Sequence, residues 1–147
     1  MTQVCIVGSP EVDLRYELLS RDTAREALST YRLHQPYANS IAVDTISLGA
    51  AVSLMNDLNW YLVRFASLTL VTEPSVAEDE WLSRKLAKAI REGDVSREQS
   101  AEFVHIYGVK DGELTEPLAV ERDGNLPDYD LADVDETVVV RVTEAEF

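Results

Sequence analysis

Residues 40–72, SIAVDTISLGAAVSLMNDLNWYLVRFASLTLVT, decide how this chain folds. Three charged side chains, Asp44, Asp57 and Arg64, fall in the stretch, against forty in the whole 147-residue chain. Burying unpaired charge is costly, so the least charged segment is the one a fold puts inside. Residues 39–46 read as a strand, and Asp44 or Ser47 can cap a helix over 47–58. Its apolar positions Leu48, Ala51, Val52, Met55 and Leu58, widened by Ala50 and Leu54, describe a buried helix. Asn59 suits the left-handed position just past a helix end, and residues 60–65 have the aromatic and β-branched content of a central strand. Residues 68–71 continue that strand or form another.

Toward the N-terminus, residues 3–7 are an apolar, β-branched run ended by Gly8-Ser9-Pro10, a strand and a turn. In residues 12–18, Leu14, Tyr16 and Leu18 alternate with Arg15 and Glu17. A second strand forming a hairpin with the first is preferred, with a helix starting at Asp13 as the alternative. Ser20 then caps a helix running to about Tyr31, with Ala24, Ala27, Leu28 and Tyr31 inward, and His34-Gln35-Pro36 ends it.

Toward the C-terminus, Glu73-Pro74-Ser75 opens a helix over 76–92. Glu78, Asp79 and Glu80 come early in it and Arg84, Lys85, Lys88 and Arg91 late, the order a helix dipole favours, and Gly93 stops it. Leu82, Leu86, Ala89 and Ile90 form its inward face. Ser96 and Gln99 have the spacing of a capping box. Residues 103–109 and 113–122 flank Lys110-Asp111-Gly112, a strong hairpin signal, and Pro117 puts the second strand at an edge or a bulge. Residues 123–136, DGNLPDYDLADVDE, form an acidic loop before a last strand over 137–142. The expected architecture is one α+β domain over residues 1–147, with a mixed, largely antiparallel sheet of about five to seven strands and three main helices.

The net charge of −14 comes from 27 acidic and 13 basic residues, and the bases are ten Arg and three Lys. Abundant carboxylate with scarce Lys fits a protein adapted to concentrated salt, where a Debye length of about 3 Å screens the self-repulsion. Residues 73–147 hold most of the excess, which disfavours nucleic acid as a partner. The single cysteine, Cys5, lies in an apolar run, as in a reducing compartment. Residues 1–8 lack a basic n-region, and no stretch reaches about 18 uninterrupted apolar residues, so a cytoplasmic protein with no membrane span is expected.

Several constellations are candidate sites. Asn56, Asp57, Asn59 and Arg64 are polar groups in the least charged segment. A buried Asp57 beside amides and Arg64 is a candidate general base, and a structural Asp57–Arg64 ion pair is the alternative. Phe103, His105 and Tyr107 share one face of a strand and suit a flat ligand or a partner, or simply the core. Trp81, Arg84, Lys88 and Arg91 fall on one helical face, where they can hold an anion or an acidic partner. Gly8-Ser9-Pro10 lacks the glycines of a phosphate loop. Two histidines and one cysteine do not make a zinc site, and the acids Asp128, Asp130, Asp133, Asp135 and Glu136 miss the calcium-loop pattern, so no metal and no cofactor is expected.

The segments LRYELLSRDTAREALSTY (14–31), SLGAAVSLMNDLNWYLVRF (47–65) and EPSVAEDEWLSRKLA (73–87) resemble those of a family of small uncharacterised acidic proteins from haloarchaea. The resemblance implies a haloarchaeal cytosolic origin and lends no activity, cofactor or site residue. The preferred function is a non-catalytic binding or regulatory module acting through protein–protein contact, with a protein partner or a homo-oligomer. A small enzyme built around Asp57 and Arg64 is the alternative, and a nucleic-acid accessory protein using the Trp81 face is a weaker third.

Overall fold

A computed structural model describes all residues except 128, 130 and 132. Its strands are β1 (Thr2–Gly8), β2 (Ser40–Thr45), β3 (Ala66–Glu73), β4 (Ala77–Ser83), β5 (Phe103–Lys110), β6 (Glu113–Leu114), β7 (Leu118–Glu121) and β8 (Glu136–Arg141). Its helices are α1 (Leu14–Leu19), α2 (Asp22–Leu28), α3 (Leu48–Asp57), α4 (Asn59–Phe65) and α5 (Arg84–Glu92). The class is α+β with a mixed sheet, as expected, but it has eight strands and five helices where five to seven and three were anticipated. The sheet runs β2-β1-β3-β4-β8-β5-β6, with β7 also on β5, and its one parallel pairing is β4 with β8.

Strand periodicity divides the apolar residues between two cores. Val4 and Ile6 of β1, Ile41 and Val43 of β2, Val71 of β3 and Leu82 of β4 face the helices, packing with Leu14, Leu18, Ala24, Leu28, Ala51, Leu54, Met55, Leu58 and Leu86. Cys5, Ala42 and Leu70 face the other way and join Val109, Val138, Val140 and Val142. The pairings Cys5↔Ala42 and Cys5↔Leu70 hold this division in register, since directly opposed residues share a face.

No helix covers this second face, yet Cys5, Ala42 and Leu70 are fully buried. The sheet covers itself. Ala38, just before edge strand β2, donates its N–H to the carbonyl of Gly112 in the β5–β6 turn at 2.8 Å, so the two ends of the strand order meet. A sheet that curls this far hides its inner face as a barrel does. The turn that makes the contact is the expected Asp-Gly hairpin, with φ of 54° at Asp111 and 81° at Gly112.

Three expectations are corrected. Residues 12–18 hold helix α1, not a strand: Asp13 caps it by accepting from the Tyr16 amide at 3.2 Å. Leu14 and Leu18 are buried while Tyr16 is 64% exposed, which is spacing i, i+4 and not alternation. Ser20 ends α1 and does not start the next helix, which stops at Leu28, short of Tyr31.

Residues 59–65 form helix α4 where a central strand was expected. Leu58, Tyr61 and Leu62 are buried and Phe65 packs against them, positions i, i+3, i+4 and i+7 of one helical face. The aromatic and β-branched content pointed to a strand, but the period of burial won. Asn59 therefore begins a helix, and Trp60, expected in the core, is 46% exposed.

Residues 76–92 split. Glu73-Pro74-Ser75 is the turn of a β3–β4 hairpin, with Ser75 bonded to the Glu73 carboxylate, and only from Arg84 does helix α5 run. Ser83 caps it through the Leu86 amide at 3.1 Å, and Gly93 ends it at φ 83°. Leu82 instead fills the sheet core, a tertiary demand that outweighs the dipole-like charge order. The capping box between Ser96 and Gln99 forms as expected, at 2.9 and 3.1 Å.

Candidate functional site

The polar residues of the central segment do not converge. Asn56 and Asp57 are exposed at the end of α3, and Arg64 is exposed one helix further on. Among the described residues Asp57 and Arg64 form no ion pair, neither structural nor catalytic. Asn59 accepts instead from Arg84 at 2.9 Å, and Arg84 also reaches the carbonyl of Met55 at 3.3 Å, tying α5 to the α3–α4 junction. Burial lowers the Arg84 guanidinium from its usual value.

Arg64 has another role. Because 59–65 is helical, residues 60 and 64 lie one turn apart, and the Arg64 guanidinium sits 3.9 Å from the centre of the Trp60 ring while donating to the Trp60 carbonyl at 3.0 Å. Arg21, from the α1–α2 junction, lies 5.4 Å from the same ring and 5.3 Å from that of Phe65. Arg21 also pairs with Glu17 at 3.1 Å. Trp60 meets Tyr61 and Phe65 edge-on at 5.0 and 5.9 Å, and Val63, 69% exposed, extends the outer face of α4. The result is an exposed indole held between two guanidiniums over a buried aromatic base.

Phe103, His105 and Tyr107 share one face of β5 as expected, each half-buried, on the inner side of the rolled sheet. Phe147 closes over two of them, 5.1 Å from Phe103 and stacked on His105 at 6.4 Å, which turns that end of the stripe into packing. Tyr107 is left at the open end. There it lines a cleft of about 880 Å³ between the loop after β1 and the β6–β7 edge.

Trp81, Arg84, Lys88 and Arg91 do not share a helical face, because Trp81 belongs to β4 and points to the inner sheet face. Arg84 binds α3–α4, Lys88 is exposed, and Arg91 lies against Gly49 of α3. The charged cluster that does assemble was not foreseen. Glu80 receives Arg122 at 3.0 and 2.9 Å and Arg141 at 2.7 Å, and Arg141 also donates to Ser100 at 2.9 Å. The partners are 42 and 61 residues from Glu80, so no local spacing signals them.

Cys5 is fully buried, and burial pushes its thiol up to about 12, which removes it as a nucleophile. Among the described residues no group of three or more potential metal ligands is gathered, and Asp128 and Asp130 of the acidic loop lie outside them. No helix among the described residues is long and apolar enough to cross a membrane.

No curated protein and no solved structure matches the chain. Residues 2–109 match DUF5804, a family of unknown function, and the chain belongs to that family.

Proposed function

We propose that this DUF5804 member is a non-catalytic binding module that meets a protein partner through the outer face of α4, at Trp60, Val63 and Arg64 with Arg21. The observation that carries the reading is Trp60, 46% exposed yet held between two guanidiniums. Trp and Arg are the residues that most often dominate binding energy in protein interfaces, and a rigidly held Trp loses little conformational freedom on binding. Chemistry-bearing groups support the same view by being occupied elsewhere: Cys5 is buried and His105 is stacked under Phe147. The partner's matching surface carries an apolar pocket for the indole and carboxylates for the guanidinium edges. We read the protein as cytosolic and salt-adapted, on the composition alone.

Affinity capture from lysate at native salt tests this with three baits: the wild type, Trp60→Ala, and Leu118→Ala as a control at an exposed apolar residue on β7. The expected result is a protein recovered with the wild type and the control and lost with Trp60→Ala, each bait showing the same thermal midpoint. Recovery of the same proteins by Trp60→Ala overturns the reading.

A further inference from the structure

We propose that the cleft at the open end of the rolled sheet is a binding site for an organic cation, an amine or guanidinium borne on a carbon chain. It is independent of the α4 surface and shares no residue with it. Its volume of about 880 Å³ is that of a small-molecule site. Val7, Leu68, Tyr107 and Leu114 supply carbon surface, and all four are partly buried at the edge of the inner core. The charged residues lining it, among those described, are Glu11, Asp13, Glu113 and Glu116, with no Lys, Arg or His.

Both walls are fixed. Asn39, at φ 52°, accepts from the Leu14 amide at 2.9 Å and donates to the carbonyls of Ser9 and Val12 at 3.1 and 2.9 Å, which pins the loop bearing Glu11 and Asp13. Across the cleft, Thr115 donates its N–H to the Gly108 carbonyl at 2.8 Å and accepts the Gly108 N–H on its hydroxyl at 3.0 Å, which pins the segment bearing Glu113 and Glu116. A cleft with anchored walls loses little freedom on binding. Four carboxylates repel an anion, and the carbon surface disfavours a bare, strongly hydrated metal ion. An ammonium or guanidinium on an apolar stem satisfies both, with its head among the carboxylates and its stem on Leu68, Leu114 and the Tyr107 ring. Burial first, and then the charge of Glu146, raises the Tyr107 phenol, so its hydroxyl stays protonated beside the cation.

The test is a methyl and amide NMR titration in about 1 M KCl, where a Debye length of about 3 Å screens general attraction to an acidic surface. The probes are phenethylamine, 3-phenylpropionate as its anionic counterpart, and N-acetylarginine amide. Saturable shifts at Val7, Leu68 and Leu114 with the two cations, and none with the anion, are expected. Glu113→Gln with Glu116→Gln should weaken binding at least about fivefold. Glu78→Gln with Asp79→Asn, the same charge change at exposed β4 positions outside the cleft, should alter it less than about twofold. Tighter binding of the arginine amide assigns the site to a basic side chain of a protein, and tighter phenethylamine to a free amine; both uphold the proposal. Unsaturable shifts scattered over the surface, an equal response to the anion, no shift in the cleft with either cation, or equal weakening by the control variant would overturn it.

Discussion

Glu80 accepts a hydrogen bond from Arg141 at 2.7 Å at the one place where the sheet runs parallel, beside the pairing of Leu82 with Arg141. Arg122 reaches the same carboxylate with both terminal nitrogens, and all three side chains are at most 17% exposed. The cluster joins β4 to β8 and to the end of the β7 segment, strands brought together from distant parts of the chain. Breaking it by removing one partner leaves charge uncompensated in a poorly solvated place.

Glu80→Gln is therefore expected to cost about 3 kcal/mol at neutral pH, read from urea titrations. The cost should shrink on acidification. Burial alone would raise the Glu80 carboxyl, but the hydrogen bonds and charges of Arg122 and Arg141 outweigh it and hold the group below its ordinary value of 4.5. A folded value below the unfolded one stabilises fully above the unfolded value and is lost as pH falls through the folded value. The wild type should thus approach the variant below pH 4.5, and a gap that stays constant there would contradict this account.

Leu54→Ala and Met55→Ala should each cost about 2 to 5 kcal/mol, since both side chains are at most 4% exposed in the helix-side core. Asp57→Asn, at an exposed position next to that core, should stay within about 0.5 kcal/mol. Denaturant midpoints of the three variants check the contrast. A large loss at Asp57 would restore the ion pair with Arg64 that the structure lacks.

Cys5 should resist maleimide in the folded protein and react once urea unfolds the chain, because it is fully buried between β2 and β3 with its thiol pushed up to about 12. Mass spectrometry of the labelled protein across a urea series reads this directly. Labelling of the folded form at a rate near that of a free thiol would mean that the rolled sheet opens.

Thermal stability should rise with salt. A net charge of −14 on 16.4 kDa repels itself at low ionic strength, and about 2 M KCl screens that repulsion. Melts at about 0.1 M and 2 M KCl compare the two conditions. An equal or lower midpoint at high salt would remove the case for salt adaptation.

The sequence by itself determined the parts of this protein set by local chemistry. The α+β class, strands β1, β2 and β8, helix α3 with its Ser47 cap, the Asp-Gly turn and the Ser96–Gln99 box all follow from turn residues, caps and short apolar runs. Tertiary structure decided the rest. Residues 59–65 carry strand-like side chains, and only packing against Leu58 and the helix-side core makes them a helix. Residues 77–83 carry helix-like charge order, and only the empty place between β3 and β8 makes them a strand. Both candidate surfaces depend on those outcomes or on long-range closure. Arg64 stacks on Trp60 only in a helix, Arg21 arrives from another element, and the cleft exists because Ala38 meets Gly112 across the whole width of the sheet. Periodicity and caps are written within a few residues of one another, whereas the rolling of a sheet is a balance of contacts between segments seventy residues apart.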